Sequence, residues 1–339
     1  MPRPAPAQCW QQRAYEVTQI VTADIGGTHA RFALATLDGL RVVDLGEPVM
    51  LKCAEYASLQ TAWEAFGAII GQQLPRDAAI ALATPIRGEV LKMTNNPWVI
   101  RPALVREKLG VDRFTLINDF GAIGHAVQHC SDDGFTHLCG PPGALPGNGV
   151  TTIIGPGTGL GVAFVVRTGG DYRVIECEGG HVDYAPLDSI EDAILARLRS
   201  QFTRVSVERV CSGPGLVAIY ETLASIEGRA IASMDDKLLW QLALSGEDSL
   251  ATAAFDRFCL SLGAVAGDFA LAQGAGAVVI AGGLGQRIAG KLSQSGFQER
   301  FLAKGRFQRM METIPVKLIE HPQPGLFGAA AAFAQENAA

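Results

Sequence analysis

Apolar residues in this chain come in short runs that stop at glycine, and that pattern alone predicts most of its elements. The run Gln19–Asp24 reads as a buried strand that passes straight into Gly26-Gly27-Thr28, and a second apolar stretch, Arg31–Thr36, follows at once. Two adjacent antiparallel strands joined by the glycine turn are expected there, with Asp38-Gly39 as the next hairpin turn. Leu59, Trp63, Phe66, Ile70 and Leu74 recur at helical spacing. Ala78–Ala83 and Phe114–Asn118 read as buried strands, the second ending in Asn118-Asp119 and leading into a helix over Phe120–His129. A second cycle starts at Thr151: a strand over Thr152–Ile154, the glycine-rich run Gly155–Gly161, then a strand over Val162–Arg167. Strand, glycine turn and strand thus recur as an internal repeat. The remainder reads as mostly helical, with Ile190, Ile194, Leu195 and Leu198 on one face and a long helix over Ala251–Gln273. Ala277–Ala281 is a last buried strand closing in Gly282-Gly283, and an apolar helix from Gly325 to Gln335 ends the pattern. Strands alternating with helices in two similar halves make an α/β protein. Asp132, Asp133, Gly134, Pro141, Pro142, Gly143, Pro146 and Gly147 punctuate residues 131–149 and place a boundary there or slightly before.

Composition narrows what such a chain does. At 339 residues it exceeds one compact core, so two lobes are expected. A net charge of −6 argues against a nucleic-acid-binding surface, which needs clustered Lys and Arg. It does not argue against a nucleotide, whose phosphates are held by local dipoles and Mg²⁺. Cys9, Cys53, Cys130, Cys139, Cys177, Cys211 and Cys259 show no C-x-x-C spacing, which fits reduced thiols in a cytosolic protein and disfavours a structural zinc site. No apolar run reaches about 18 residues uninterrupted, so a cytoplasmic protein without a membrane partner is expected. Residues 1–16 read as a mobile N-terminal extension.

The glycine turns raise the question of phosphate. Backbone N–H groups converge on phosphate most easily where glycine removes the Cβ. Gly26-Gly27-Thr28 and Gly157-Thr158-Gly159, each behind a hydrophobic strand, meet that requirement, and Asp24 lies where a carboxylate can hold Mg²⁺ directly or through water. Each turn alone reads equally well as a tight hairpin. The spacing of Gly155–Gly161 is not a Rossmann fingerprint, because the glycines alternate before a strand-like run. Gly285–Leu292 is one residue short of a P-loop and has Leu292 where the Mg²⁺-ligating hydroxyl belongs.

Asp119 closes a strand at a sheet edge, where α/β proteins bind ligands, and Asn118 beside it offers a donor and an acceptor. The segment Glu176–Asp183 gathers three carboxylates and His181 around two glycines, poor core material that suits a polyhydroxyl ligand. A metal site at Glu178, His181 and Asp183 and a structural role for His181 are the competing readings. Glu208 reads, on its own, as an acid in the first turn of a helix.

Together these motifs resemble bacterial glucokinases, the hexokinase-type branch of the actin-like ATPase superfamily. The resemblance rests on Asp24–Arg31, Leu116–Phe120, Gly155–Gly161, Glu178–Asp183, Ser206–Val210, Ser212–Leu216 and Ile280–Gly283, in that order. It implies a two-lobed, ribonuclease H-like fold with a mixed five-stranded sheet and flanking helices in each lobe. The small lobe would span 17–130, with a last helix at about 322–337 returning to it, and the large lobe 131–321. It further implies ATP-dependent phosphorylation of glucose at the 6-hydroxyl, with Asp119 as base and Asn118, Asp119, Glu178, His181 and Glu208 as sugar ligands. ATP would lie on Asp24, Gly26, Gly27, Thr28, Gly157, Thr158 and Gly159, its adenosine on Gly282 and Gly283, and the enzyme would be a homodimer using Mg²⁺. Another hexose as substrate, or a non-catalytic sugar sensor of the same fold, are the alternatives.

Overall fold

The computed structural model describes residues 17–93 and 95–337; the N-terminal extension expected over 1–16 lies outside the described residues. Strands β1 (Val17–Ile25) and β2 (His29–Asp38) form an antiparallel pair with Asp24 opposite Arg31, so the Gly26-Gly27-Thr28 turn sits at the end of the pair. β3 (Arg41–Leu45) continues from β2 through a turn whose Gly39 has φ 58°, left-handed backbone that glycine adopts without a Cβ penalty. β4 (Val49–Lys52) pairs with the other end of β2. β5 (Asp77–Leu82) and β8 (Arg113–Asn118) add in parallel, giving the order β3-β2-β1-β5-β8. β6 (Leu91–Met93) and β7 (Asn96–Ile100) form a separate hairpin.

This first sheet is covered on both faces, which is why β1 reads as a continuous apolar run rather than an alternating one. Val21, Ala23 and Ile25 pack with Phe32 and with Trp63 and Phe66 of helix α1 (Leu59–Ile70). Ile20 packs on the opposite face with Ala79, Ala81 and Phe333 of the last helix, α11 (Pro324–Asn337). The hydroxyl of Thr22, on that same face, donates to the Leu326 carbonyl at 2.7 Å. The end of the chain therefore completes the core of its beginning. A short helix, α2 (Val105–Leu109), leads into β8, and α3 (Asp119–His129) follows it directly. α3 crosses α11 where Gly328 faces the Ala122 carbonyl, an approach that a Cβ would block.

The second sheet repeats the plan. β10 (Gly149–Pro156), β11 (Leu160–Thr168) and β12 (Asp171–Cys177) form an antiparallel meander, and β13 (Ala275–Ile280) and β14 (Val316–Ile319) add in parallel beside β10. The order β12-β11-β10-β13-β14 matches the five-strand path of the first sheet, and β9 (Phe135–Cys139) adds antiparallel at its edge. Each sheet therefore has six strands, not the five expected, because β4 and β9 extend the shared plan. β9 lies inside the segment whose glycines and prolines suggested only a connection. β12 and β14 also lie in the part expected to be mostly helical; as an edge strand with alternating exposed residues, β12 carries no continuous apolar run.

Helices α4 (Ser189–Arg199), α5 (Gly213–Ile226), α6 (Asp236–Ser245) and α7 (Ser249–Gln273) form the helical side of the second core. Trp240 meets Phe258 edge-to-face there at 5.0 Å. Among the described residues, α7 is the helix long and apolar enough to cross a membrane, and 72% of its most apolar window is buried in this core. α8 (Gly282–Leu292), α9 (Phe297–Leu302) and α10 (Gln308–Met311) lie between β13 and β14. The near-P-loop segment Gly285–Leu292 is an unbroken part of helix α8.

Candidate active site

β8 delivers Asn118 to the mouth of the cleft between the sheets, and Asn118 caps α3. Its side-chain oxygen accepts from the Phe120 and Gly121 amides at 2.9 and 3.3 Å, and its amide nitrogen donates to the Thr84 carbonyl at 3.3 Å. An Asn cap with extended backbone is what a helix start prefers, so the motif that looked like a ligand pair is also a local folding signal. Asp119 is thereby fixed as the first residue of α3. Burial, then the nearby charge of Asp24 and, more weakly, that of Glu178 push its carboxyl up to about 7, against the Phe120 amide that stabilises the ionised form.

Asp24 lies near the end of β1, in the same sheet as β8 and two strands from it. Burial pushes its carboxyl up and Arg31, 3.3 Å away on β2, pulls it back. Gly325, in the first turn of α11, approaches so closely that a Cβ there would stand 2.8 Å from the Asp24 carboxylate. Asp24, Arg31, Asp119, Gly282, Gly283 and Gln323 line a cavity of about 250 Å³.

A second cluster includes Glu178, whose charge also acts on the Asp119 carboxyl. Glu178 follows β12 and is exposed, and the single turn Gly179–His181 after it presents His181, also exposed. The ring Nδ1 of His181 is 3.9 Å from a carboxylate oxygen of Glu208. The other Glu208 oxygen accepts from the Leu160 amide at 3.2 Å. Glu208 thus belongs to a short turn, Val207–Arg209, and faces the glycine segment. Asp183 is held by Arg204 at 2.5 Å, which also donates to the His181 carbonyl at 2.6 Å. That pairing takes Asp183 away from His181, and among the described residues no cluster of His, Cys, Asp and Glu is placed to hold a metal ion by itself.

The glycines divide by task. Gly26 donates to the His29 carbonyl at 2.9 Å and its own carbonyl accepts from Asn96 at 3.1 Å, so this residue closes the turn. Gly27 lies against Asn95, where a Cβ would come within 2.9 Å of the Asn95 side chain, while Thr28 is exposed. In the second turn Gly157 donates to the Gly159 carbonyl at 2.8 Å. A Cβ on Gly159 would collide with the Glu208 carboxylate, and one on Gly155 or Gly161 would collide with the Phe120 ring. Gly157 faces open space, and Thr158 is exposed. Gly282, at φ 82°, and exposed Gly283 open helix α8, whose amino end borders the Asp24 cavity.

The glucokinase family model matches residues 21–336 of this chain. A glucokinase of Zymomonas mobilis is 63% identical over 318 residues, covering 94% of this chain and 98% of that protein. The chain belongs to the glucokinase family. A solved glucokinase from an Antarctic psychrotroph, 33% identical, superposes with a TM-score of 0.81 over 94% of this chain and 99% of that one. A ROK-family glucokinase from Streptomyces griseus, solved with glucose and AMPPNP, shares the fold at 18% identity, with a TM-score of 0.63 over 94% and 100% of the two chains.

The residues that the family resemblance marks fall into two groups. Asp24, Asp119, Gly282 and Gly283 share one cavity, while His181 and Glu208 approach each other and Glu178 lies near enough to Asp119 for its charge to act on that carboxyl. Asn118 and Gly159 have structural engagements that no motif announces: the first caps a helix, and the second makes room for Glu208. The sequence does not single out Phe120 or Arg31 as site residues, and it counts Glu176 only among the carboxylates suited to a polyhydroxyl ligand. The alternation of Gly155 and Gly161, opposite each other in the β10–β11 register, is the signal for an inserted ring. Cys177 donates its thiol to the Val162 carbonyl at 3.3 Å, which anchors the turn before Glu178.

Proposed function

We propose that this chain transfers the γ-phosphoryl group of ATP to the 6-hydroxyl of glucose with Asp119 as general base. The observations that carry the role of Asp119 are its place in the cavity it shares with Asp24, Gly282 and Gly283, and a carboxyl raised to about 7 by burial, the charge of Asp24 and, more weakly, that of Glu178. A base tuned near neutral pH is ionised at working pH and still takes up a proton readily. As the sugar oxygen forms its bond to the γ-phosphorus, the bond to the β-phosphate oxygen breaks with its electron pair leaving on ADP, and the hydroxyl proton passes to Asp119. Glu178, His181, Glu208 and Asn118 hold the remaining hydroxyls, so that a single oxygen is presented in line. Gly27, Thr28, Gly157 and Thr158 lie at the two turns that would flank the phosphates, and Gly282 and Gly283 border the adenosine side.

Asp24 fits Mg²⁺ as a single, partly desolvated carboxylate facing the nucleotide cavity, since magnesium is usually held by one or two carboxylates together with substrate phosphates. The ion, when bound, neutralises phosphate charge. Arg31 holds the Asp24 carboxylate at 3.3 Å, and Asp24 would be the residue that holds the ion. A homodimer in the cytoplasm is the working form we propose, on family grounds.

The test is ADP release with Mg-ATP across glucose, mannose, fructose and N-acetylglucosamine. Turnover dependent on glucose is expected. Turnover with another hexose alone would keep the chemistry and replace the substrate, and ADP release indifferent to every sugar would overturn the kinase reading. Within the sugar cluster, Glu208→Ala removes a charged acceptor, and hydrogen bonds to charged groups contribute about 1.5–3 kcal/mol. The KM for glucose is therefore expected to rise about 10- to 100-fold, with the KM for Mg-ATP little changed; steady-state kinetics in both substrates reads this directly.

A further inference from the structure

Edge strand β12 lies along α3 through alternate residues. The Tyr172 hydroxyl is 2.9 Å from both His125 Nδ1 and His129 Nε2, and Val174 fills the notch left by Gly124. At the end of the strand Glu176 reaches the amino end of α3, where its Oε1 accepts from the Asn118 backbone amide at 2.9 Å. Gly121 makes this approach available, because any Cβ there would collide with the Glu176 carboxylate. A carboxylate at a helix amino terminus is also where the helix dipole favours one.

We infer that Glu176 is a positioning residue for the phosphoryl-transfer step, fixing Asp119 relative to the sugar-binding turn from the opposite sheet. This deepens the reading above and rests on it. Asp119 is one residue from the amide that Glu176 holds, and Glu178 is two residues beyond Glu176 on the same stretch of chain. The base and the first sugar ligand are therefore joined by a path of one hydrogen bond and a few covalent links. That path crosses between the sheets, so it helps to set the distance from base to sugar. An error of about 1 Å in that distance can cost about 100-fold in rate.

The proposal turns on the acceptor rather than the charge, and two variants separate them. Glu176→Asp keeps the charge and withdraws the oxygen by one methylene; Glu176→Gln removes the charge and keeps a carbonyl oxygen at the same reach. Expected for Glu176→Asp is a fall in kcat of about tenfold or more, with both KM values within about threefold of the parent. Glu176→Gln is expected to keep kcat within about threefold. Thermal melts of both variants report the folded fraction, and kcat is expressed per folded molecule. A fast Asp variant overturns the proposal, as does a Gln variant as slow as the Asp variant or slower. Asp119→Asn is measured in the same assay. If it is as active as the parent, the base assignment fails on its own; a fast Glu176→Asp enzyme beside an inactive Asp119→Asn enzyme overturns only the positioning role.

Discussion

Asp119→Asn is expected to lower kcat by about 10²–10⁴-fold, the usual contribution of a positioned general base, and to leave the protein at least as stable as the parent at alkaline pH. Both halves come from one feature. The Asp119 carboxyl is raised from 3.8 to about 7 because burial and then the charge of Asp24 disfavour its ionised form. The folded state therefore binds a proton that the unfolded state has already released. The stability this contributes is fully present below about 3.8, declines as pH rises and is lost above about 7. Asp24, shifted in the same direction, adds to the trend. Asn at position 119 carries no charge at any pH, so the melting temperature of the variant should fall less steeply than the parent's across that window. Activity runs the opposite way: the base works only when ionised, so kcat/KM of the parent should rise with pH and level off above about 7. A parent profile flat from pH 5 to 9, roughly the span over which such a limb would show, would sink the assignment even if the variant were slow. On the proposed assignment the site holds its base in a state that the fold itself disfavours, a cost that active sites commonly carry.

Much of this was legible in the sequence because the site sits at the ends of strongly patterned strands. Asp24 and Asn118-Asp119 close apolar runs, and the glycines after β1 and β10 mark the two hairpins. The repeat of strand, glycine turn and strand corresponds to the matching strand orders of the two sheets. What stayed illegible depends on contacts between segments far apart in the chain. β12 carries Tyr172, Val174 and Glu176 toward α3, but between them Arg173 and Ile175 are exposed, so neither an apolar run nor a clean alternation of apolar and polar residues marks the strand. Glu176 looked like one more carboxylate for a polyhydroxyl ligand, and only its bond to Asn118 shows that it is engaged within the protein. Gly157-Thr158-Gly159 reads as a phosphate turn, but nothing in the sequence shows that the missing side chains of Gly155, Gly159 and Gly161 also admit Phe120 and Glu208. Composition gives the residue type at each of these positions, while the partner that requires it is set by the tertiary fold.

That second use of the glycines leads to the other large effect. Gly161→Ala is expected to slow catalysis by about 100-fold and to destabilise the protein by about 1–3 kcal/mol, the range for overpacking a filled site. Gly161 faces Gly155 across the β10–β11 pair, and the Phe120 ring fills the groove between them, closer to Gly161 than any Cβ could tolerate. Phe120 immediately follows Asp119 at the start of α3, so a methyl group that displaces the ring moves the base as well. The same ring thus packs against the second sheet and neighbours Asp119 on the helix that follows β8 of the first sheet. Phe120→Leu, which removes the part of the ring nearest the glycines, should lose some packing of its own. Combined with Gly161→Ala, however, it should recover part of both the melting temperature and kcat, so the double variant would be better than the sum of the single losses predicts. Chemical denaturation and steady-state kinetics on the four proteins of that cycle measure the coupling. Strictly additive losses would mean that the ring is not what Gly161 accommodates, and a Gly161→Ala enzyme as fast as the parent would mean that displacing it leaves Asp119 where it was.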